Sequence, residues 1–188
     1  MRLFAVLFIL VALVAPDSRA SEAAELMNST LVAKLHLERD PLNSQMVGAL
    51  QIKFRNRTQT PLSKVSVLLN PGLQFIRAVG FKNQQLRLSS SVSPIDGNDI
   101  LELNRAEITL RKPLKINQQA EIVIHYRGYL QDISWAGIAG AKDSLHPDFT
   151  MIRARAFAYP VFAQPNMAAI TGTWNHKPFH QEIGRAHV

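Results

Sequence analysis

Two histidines near the end of the chain have a spacing that can bind a metal ion. His176 and His180 are four residues apart, which on a helix would place both imidazoles on one face, as in paired zinc ligands. Pro178 lies between them and would break that helix, and no Glu follows His176. We therefore expect two loop histidines and no metal site at this position.

A second group has the residue types of a hydrolytic triad. Ser144, His146 and Asp148 alternate within one short segment. Alternate residues of one segment cannot form the Ser–His–Asp hydrogen bonds in series, so we expect an exposed loop over 142–148. The sequence thus predicts no catalytic, cofactor-binding or metal-ligating residue in this chain.

Three glutamates are the remaining candidates for acid–base chemistry. Glu102, Glu107 and Glu121 occur in segments with a strand pattern. We expect them on separate strands, as charges on a solvent-facing surface rather than as a catalytic pair.

Composition excludes several classes of protein. The 188 residues include no Cys, which rules out thiol catalysis and Cys-ligated zinc. The net charge is +7, but the basic residues are scattered along the sequence and form no run. Nucleic-acid binding favours clustered charge with aromatic residues between, so we expect no nucleic-acid partner.

The first twenty residues have the layout of a secretory signal peptide. A positive start at Met1-Arg2 precedes an apolar run over 3–15, and Ser18-Arg19-Ala20 provides small residues before a cleavage point. The run is short for a membrane span, which needs about 20 residues. We expect export, to the periplasm or the extracellular space, with no transmembrane segment beyond the signal peptide. An uncleaved anchor is the alternative.

The last six residues, 183–188, resemble one reading frame of a short-read sequencing adapter. They follow Phe179-His180-Gln181-Glu182, which resembles the beginning of a strand. We interpret 183–188 as a non-native tail and the domain over 21–182 as incomplete. A genuine polar C-terminus is the alternative.

Between these ends the main signal is an alternation of apolar and polar residues. This period of two is typical of half-buried β-strands. Turn residues separate the runs, among them Asn56-Arg57-Thr58, Asn70-Pro71-Gly72 and Lys112-Pro113. The pattern predicts an all-β protein, an antiparallel β-sandwich preceded by a signal peptide. Residues 101–103 and 108–110 are predicted as two strands. The predicted inner faces contain Leu35, Leu37, Leu50, Ile52, Phe54, Val65, Val67, Leu69, Ile108, Leu110, Ile122, Ile124 and Tyr126.

Large aromatic residues concentrate late in the chain. We expect them to pack in the core or against another domain rather than to form a ligand platform. They are Trp135, Phe149, Phe157, Tyr159, Phe162 and Trp174.

The order of several segments resembles one known family. The segments are a strand with a Gly near its start (46–54), a Leu-Leu-Asn-Pro-Gly-Leu stretch (68–73), a Tyr-x-Gly-x-Leu stretch (126–130) and an aromatic-Pro-x-Phe-x-x-Pro stretch (159–165). Together they resemble the N-terminal β-sandwich domain of the aminopeptidase N family of gluzincin zinc metallopeptidases. The resemblance covers roughly residues 30–182.

The chain departs from the family pattern at several positions. Val161 stands where the family commonly has Cys, Ala163-Gln164 replaces its acidic pair, and 150–153 has no carboxylate where many members hold the substrate amino group. The family's H-E-x-x-H helix and its Gly-x-Met-Glu-Asn loop are absent from this sequence.

The resemblance has consequences for function. It implies a divergent member and a non-catalytic fragment, with zinc in a missing catalytic domain. The partners would then be that catalytic domain and the peptide substrate of the parent. A free-standing secreted β-sandwich that binds a partner or a glycan is the alternative.

Overall fold

The fold is known from a computed structural model, which describes residues 4–7, 24–38, 43–133, 145, 147, 150, 152, 156–164 and 167. Nearly all of the regular structure in these residues is β-strand. The strands are β1 (Phe4–Leu7), β2 (Ala24–His36), β3 (Gln45–Asn56), β4 (Leu62–Leu69), β5 (Leu73–Gly80), β6 (Gln84–Ile95), β7 (Asn98–Leu114), β8 (Gln119–Gly128) and β9 (Val161–Phe162). A 3-10 turn, Phe81–Asn83, joins β5 to β6.

The described strands pair in the order β1-β2-β3-β8-β5-β6-β7-β4-β9, and each pairing is antiparallel. The first sheet consists of β1, β2, β3, β8 and β5, and the second consists of β6, β7, β4 and β9. The start of β6 joins them, because Gln84 to Leu86 pair with β5 while the residues from Arg87 onward pair with β7. The result is a nearly closed, antiparallel all-β fold, as the alternation predicts.

The main core lies between the two sheets and is built by the predicted alternation. Ile52 and Phe54 of β3 are 1% and 0% exposed, and they pack with residues of β4, β7 and β8. Of the thirteen predicted inner residues all are buried except Leu37, which is half-buried just beyond the end of β2. The sequence thus correctly assigned the inner faces.

One prediction about the strands is wrong. Residues 101–103 and 108–110 belong to a single 17-residue strand, β7. Leu101 and Leu103 face an outer cluster, whereas Ala106, Ile108 and Leu110 face the inner core. The strand changes its buried face near Asn104, which the sequence shows as an interruption of the alternation. Pro113 also lies inside β7, and the turn follows at 115–118.

The two ends of the sandwich differ. We call one of them the covered end, because residues from late in the chain pack on the sheets there. Leu145 and Ala158 join Leu69, Leu73 and Tyr126 in a buried cluster. On the outer face of the second sheet, Phe157 and Ala163 pack on Leu68, Ile95, Leu101 and Leu103. At the opposite end, the open end, lie the turns over 57–61, 81–83 and 115–118.

Of the predicted signal peptide the structure describes Phe4–Leu7, which form β1 and pair with β2. Cleavage and export therefore stay predictions. Among the residues with described positions, no helix has the length and apolar character required to cross a bilayer.

Candidate functional site

At the covered end, Gly48 and Tyr126 are in close contact. They are paired on β3 and β8, and the Tyr126 ring lies directly over Gly48. A Cβ at position 48 would lie 2.2 Å from Cζ of Tyr126, far closer than atoms can approach. The site therefore requires Gly at 48 for as long as residue 126 is aromatic.

A second glycine is required for its backbone. Gly128 has φ of +146°, a conformation that side-chain-bearing residues rarely adopt. A Cβ at this position would also lie 2.2 Å from the carbonyl oxygen of Gly72. That same oxygen accepts a hydrogen bond from the backbone N–H of Tyr129 at 3.2 Å. The end of β8 is thereby held against the turn between β4 and β5.

Asn70 joins this turn to two later segments. Its Nδ2 donates to the carbonyl oxygens of Gln131 and Ala156, both at 2.8 Å. Its Oδ1 accepts from the backbone N–H groups of Gly72 and Gln131, both at 2.9 Å. Its own backbone N–H donates to the Phe157 carbonyl at 2.8 Å. The side chain is fully buried, and its four hydrogen-bonding positions are all used.

The Tyr126 hydroxyl is buried at the same place. It has no hydrogen-bond partner among the described residues. Burial raises the pKa of Tyr126 well above its usual range, and the nearby Tyr159 adds to that shift. The hydroxyl therefore stays protonated and is a poor candidate for a general base.

The open end contains a shallow cavity of about 400 Å³. Its floor is the end of the main core, with Leu86, Leu110 and Leu114 each 9% exposed. Its wall includes Gly80, Phe81, Gln84, Gln119, Ala120, Glu121 and Ile122, together with Lys53, Arg111 and Lys112.

The sequence interpretation missed a cluster of basic residues around this cavity. The ends of β3 and β7 and the adjoining turns bring together cations that are far apart in the sequence. Lys53, Arg111 and Lys112 line the cavity, and Arg55, Arg57, Lys82 and Lys115 lie at the same end of the fold, on β3 or in the turns. An alternating pattern assigns side chains to faces, but it does not show which strand ends meet.

Asn56 orders the turns of the open end. Its Nδ2 donates to the carbonyl oxygens of Thr60 at 2.9 Å and Leu114 at 2.8 Å. Its Oδ1 accepts from the backbone N–H and the Oγ1 of Thr58. Its backbone N–H donates to Gln118, and its carbonyl accepts from the N–H of Asn117. One buried side chain thus fixes both the β3–β4 and the β7–β8 connections.

The three candidate glutamates do not form a catalytic group. Glu102 and Glu107 share strand β7, so the expectation of three separate strands is wrong. Glu107 forms an ion pair with Lys64 at 2.7 Å, and Glu121 accepts a hydrogen bond from Gln51 at 2.7 Å. Within the described part of the chain, no group of three or more His, Cys, Asp or Glu residues could hold a metal ion.

Other residues considered from the sequence lie outside the described residues. These are Ser144, His146, Asp148, His176 and His180, with Trp135, Phe149 and Trp174. Within the predicted exposed loop over 142–148, Leu145 is described and is only 2% exposed, so the prediction is wrong at that residue. Of the late aromatics that are described, Phe157 is fully buried, while Tyr159 and Phe162 are half-buried. The Phe162 ring packs against Phe54 with the ring centroids 5.2 Å apart.

Comparison with known proteins gives one kind of match. No family model matches the chain, and no curated protein does. The matches are to solved structures. The M1 zinc metallopeptidase from Deinococcus radiodurans has 16% identity and a TM-score of 0.48, over 77% of this chain and 29% of that chain. A mutant of that enzyme bound to a Tyr-Ser-Ala substrate has 17% identity and a TM-score of 0.47, over 72% and 28%. The present chain thus spans less than a third of those chains.

Proposed function

We propose that this domain is the non-catalytic N-terminal domain of an exported zinc metallopeptidase-like protein. One observation supports the proposal above the others. The separate segments that resemble the aminopeptidase N family meet at the covered end, where Gly48 lies under Tyr126, Gly72 contacts Tyr129, and Asn70 binds the late segment.

In this proposal the covered end is a joint. Asn70 and the buried Phe157 fix the late segment on the sandwich, so the chain that follows would leave the domain in a set direction. The domain would position a catalytic domain and form one wall of its peptide cleft. Zinc in that domain would act as Lewis acid and activate water. The described residues would supply packing and orientation alone.

The reading frame after codon 182 tests the proposal. We expect an H-E-x-x-H motif in frame, well beyond the sandwich. A stop codon close to position 182 in the genomic sequence would overturn the proposal and favour a free-standing binding module. The basic cluster and the cavity of the open end are the observations that favour that second candidate.

A biochemical test uses the natural gene product. Antibodies raised against folded domain should capture a polypeptide much larger than 21.0 kDa. The captured material should hydrolyse aminoacyl reporter substrates, lose that activity on chelation and regain it with zinc. Activity that survives chelation would contradict a zinc enzyme.

Export has its own test. N-terminal sequencing of the exported protein should begin at Ser21, because the residues before it have the order of a cleaved leader. An intact Met1 on membrane-bound protein would instead support the uncleaved anchor.

A further inference from the structure

Two large apolar side chains project from the turns of the open end. Phe81 is 82% exposed and belongs to the 3-10 turn between β5 and β6. Ile116 is 51% exposed and lies in the turn between β7 and β8. The two turns border the same cavity, which is lined by Phe81, Leu114 and Gln119. Single exposed apolar residues are common on protein surfaces, but here Phe81, 82% exposed, and Ile116 lie on turns that border one cavity, and apolar groups that adjoin on a surface mark interaction sites.

Hydrogen bonds hold both turns in place. The Asn117 N–H donates to Asn56 at 2.8 Å, and the Lys115 N–H donates to Oε1 of Gln118 at 2.8 Å. In the other turn, the backbone N–H of Gln84 donates to the Phe81 carbonyl, and the Lys82 ammonium lies 5.5 Å from the centroid of the Phe81 ring. Because the turns are already ordered, binding through their tips would cost little conformational entropy.

The charge around the tips is almost entirely positive. Lys53, Arg111 and Lys112 line the cavity, and they have no ion-pair partner among the described residues. Lys82 and Lys115 lie in the two turns themselves. Glu121 is the one carboxylate in the described cavity wall, and it accepts a hydrogen bond from Gln51. The surface is therefore complementary to a dense array of negative charges.

We propose that the open end docks on a lipid bilayer with anionic headgroups. Phe81 and Ile116 enter the boundary between headgroups and acyl chains, while the ring of Lys and Arg contacts lipid phosphates. A nucleic acid would match the charge but offers no apolar phase for Ile116. The inference stands on the open end alone and does not depend on the proposed peptidase relationship.

The absence of Cys permits a direct test on the full chain. Phe81→Cys, Ile116→Cys and Ile100→Cys each introduce one thiol for an environment-sensitive dye. Ile100 is 67% exposed and lies near the β6–β7 turn, at the covered end, so it is the matched control. The dye should report an apolar environment at 81 and 116, and not at 100, on vesicles of mixed phosphatidylglycerol and phosphatidylcholine. Pure phosphatidylcholine should give no response.

Charge variants test the electrostatic part. Removal of one cation near an anionic surface should weaken binding roughly fivefold. Arg111→Gln and Lys112→Gln should each show this loss, and added salt should reproduce it. Arg127→Gln removes an exposed cation from the covered end and should leave binding unchanged. Phe81→Ser should weaken binding about tenfold or more.

The outcomes separate the open end from the rest of the chain. The apolar N-terminal residues are the same in every variant, so vesicle binding through them would leave the dye at 81 and 116 silent. That result would overturn the proposal, as would equal binding to neutral and anionic vesicles. Binding of a soluble sulfated polysaccharide or DNA, without any dye response on vesicles, would identify a different anionic partner and would also overturn it.

Discussion

The covered end and the open end use the same residue type for different purposes. Each contains a fully buried asparagine whose amide makes hydrogen bonds with both Nδ2 and Oδ1. Asn70 binds residues 61 and 86 positions away, and so attaches late segments to the sandwich. Asn56 also reaches a distant residue, Leu114, 58 positions away, but its other partners lie in its own loop and in the β7–β8 turn. A buried amide can therefore either join distant parts of a chain or order loops that remain exposed.

The packing also differs between the two ends. At the covered end, Leu145, Ala158 and Tyr159 fill the space between the sheets. At the open end the core finishes at a cavity of about 400 Å³ with a basic rim. The first arrangement suits a joint between domains, and the second suits contact with a separate partner.

The largest expected difference between the ends comes from the two asparagines. Asn70→Ala breaks four hydrogen bonds to backbone groups, of which those to Ala156 and Gly72 are fully buried, and should lower the free energy of unfolding by about 3–5 kcal/mol. Asn56→Ala should cost about 1–3 kcal/mol, because among the described side-chain hydrogen bonds of Asn56 one, to the Leu114 carbonyl, is fully buried. Urea titration followed by circular dichroism measures both. Equal losses would contradict the distinction between a joint and a local loop clamp.

The glycines give the next largest effect. Gly48→Ala should cost about 2–3 kcal/mol, because its Cβ would overlap the Tyr126 ring. The control is Gly80→Ala at the open end, where φ is −107° and the nearest side-chain atom is 3.5 Å away. That change should be neutral or stabilise by about 0.4–1 kcal/mol. In a double-mutant cycle, Tyr126→Leu should relieve most of the cost of Gly48→Ala.

A smaller effect is expected from the Tyr126 hydroxyl. Because it is buried without a described partner, Tyr126→Phe should leave the free energy of unfolding unchanged or raise it by about 1 kcal/mol. Ultraviolet titration should show that the Tyr126 phenol of the folded protein resists ionisation at alkaline pH, since its pKa is raised. A loss of more than 1 kcal/mol would reveal a hydrogen bond to this hydroxyl.

The smallest expected effect is a pH dependence from His125. Burial lowers its pKa below the ordinary value, and Arg77, its neighbour on β5, lowers it further. The unfolded chain therefore takes up the proton first, and stability falls as pH drops below about 6.5. Proton NMR of the imidazole should show the lowered pKa, and Arg77→Gln should move it back towards the ordinary value. An unchanged pKa in Arg77→Gln would exclude the electrostatic contribution.

The sequence predicted the inner faces well because burial in a two-layer β-fold has a period of two. Leu50, Ile52 and Phe54 follow that rule without interruption, and each is almost fully buried. The same rule failed for β7. Its buried face changes near Asn104, and Pro113, a residue typical of turns, lies inside the strand. Such a change depends on what packs on the outer face, here Phe157, which is distant in sequence.

The candidate site was less predictable than the fold. The sequence identified Gly48, the Asn-Pro-Gly turn and the Tyr-x-Gly stretch through a family resemblance, without showing that they touch. The basic cluster was missed because Lys53 and Arg111 are far apart in sequence and lie on different sheets, so that only the packing of the two sheets brings them to one cavity. The two exposed tips lie in turns, where an apolar residue has no periodic pattern to identify it.

The change of face in β7 also affects how the domain opens. One strand supplies Leu101 and Leu103 to the outer cluster and Ile108 and Leu110 to the inner core. At the crossing point, Nδ2 of Asn104 donates to the Leu73 carbonyl of the first sheet at 2.7 Å. The two clusters cannot lose their packing separately without breaking this strand. In native-state hydrogen exchange, backbone amides on both sides of Asn104 should therefore exchange with one common opening free energy.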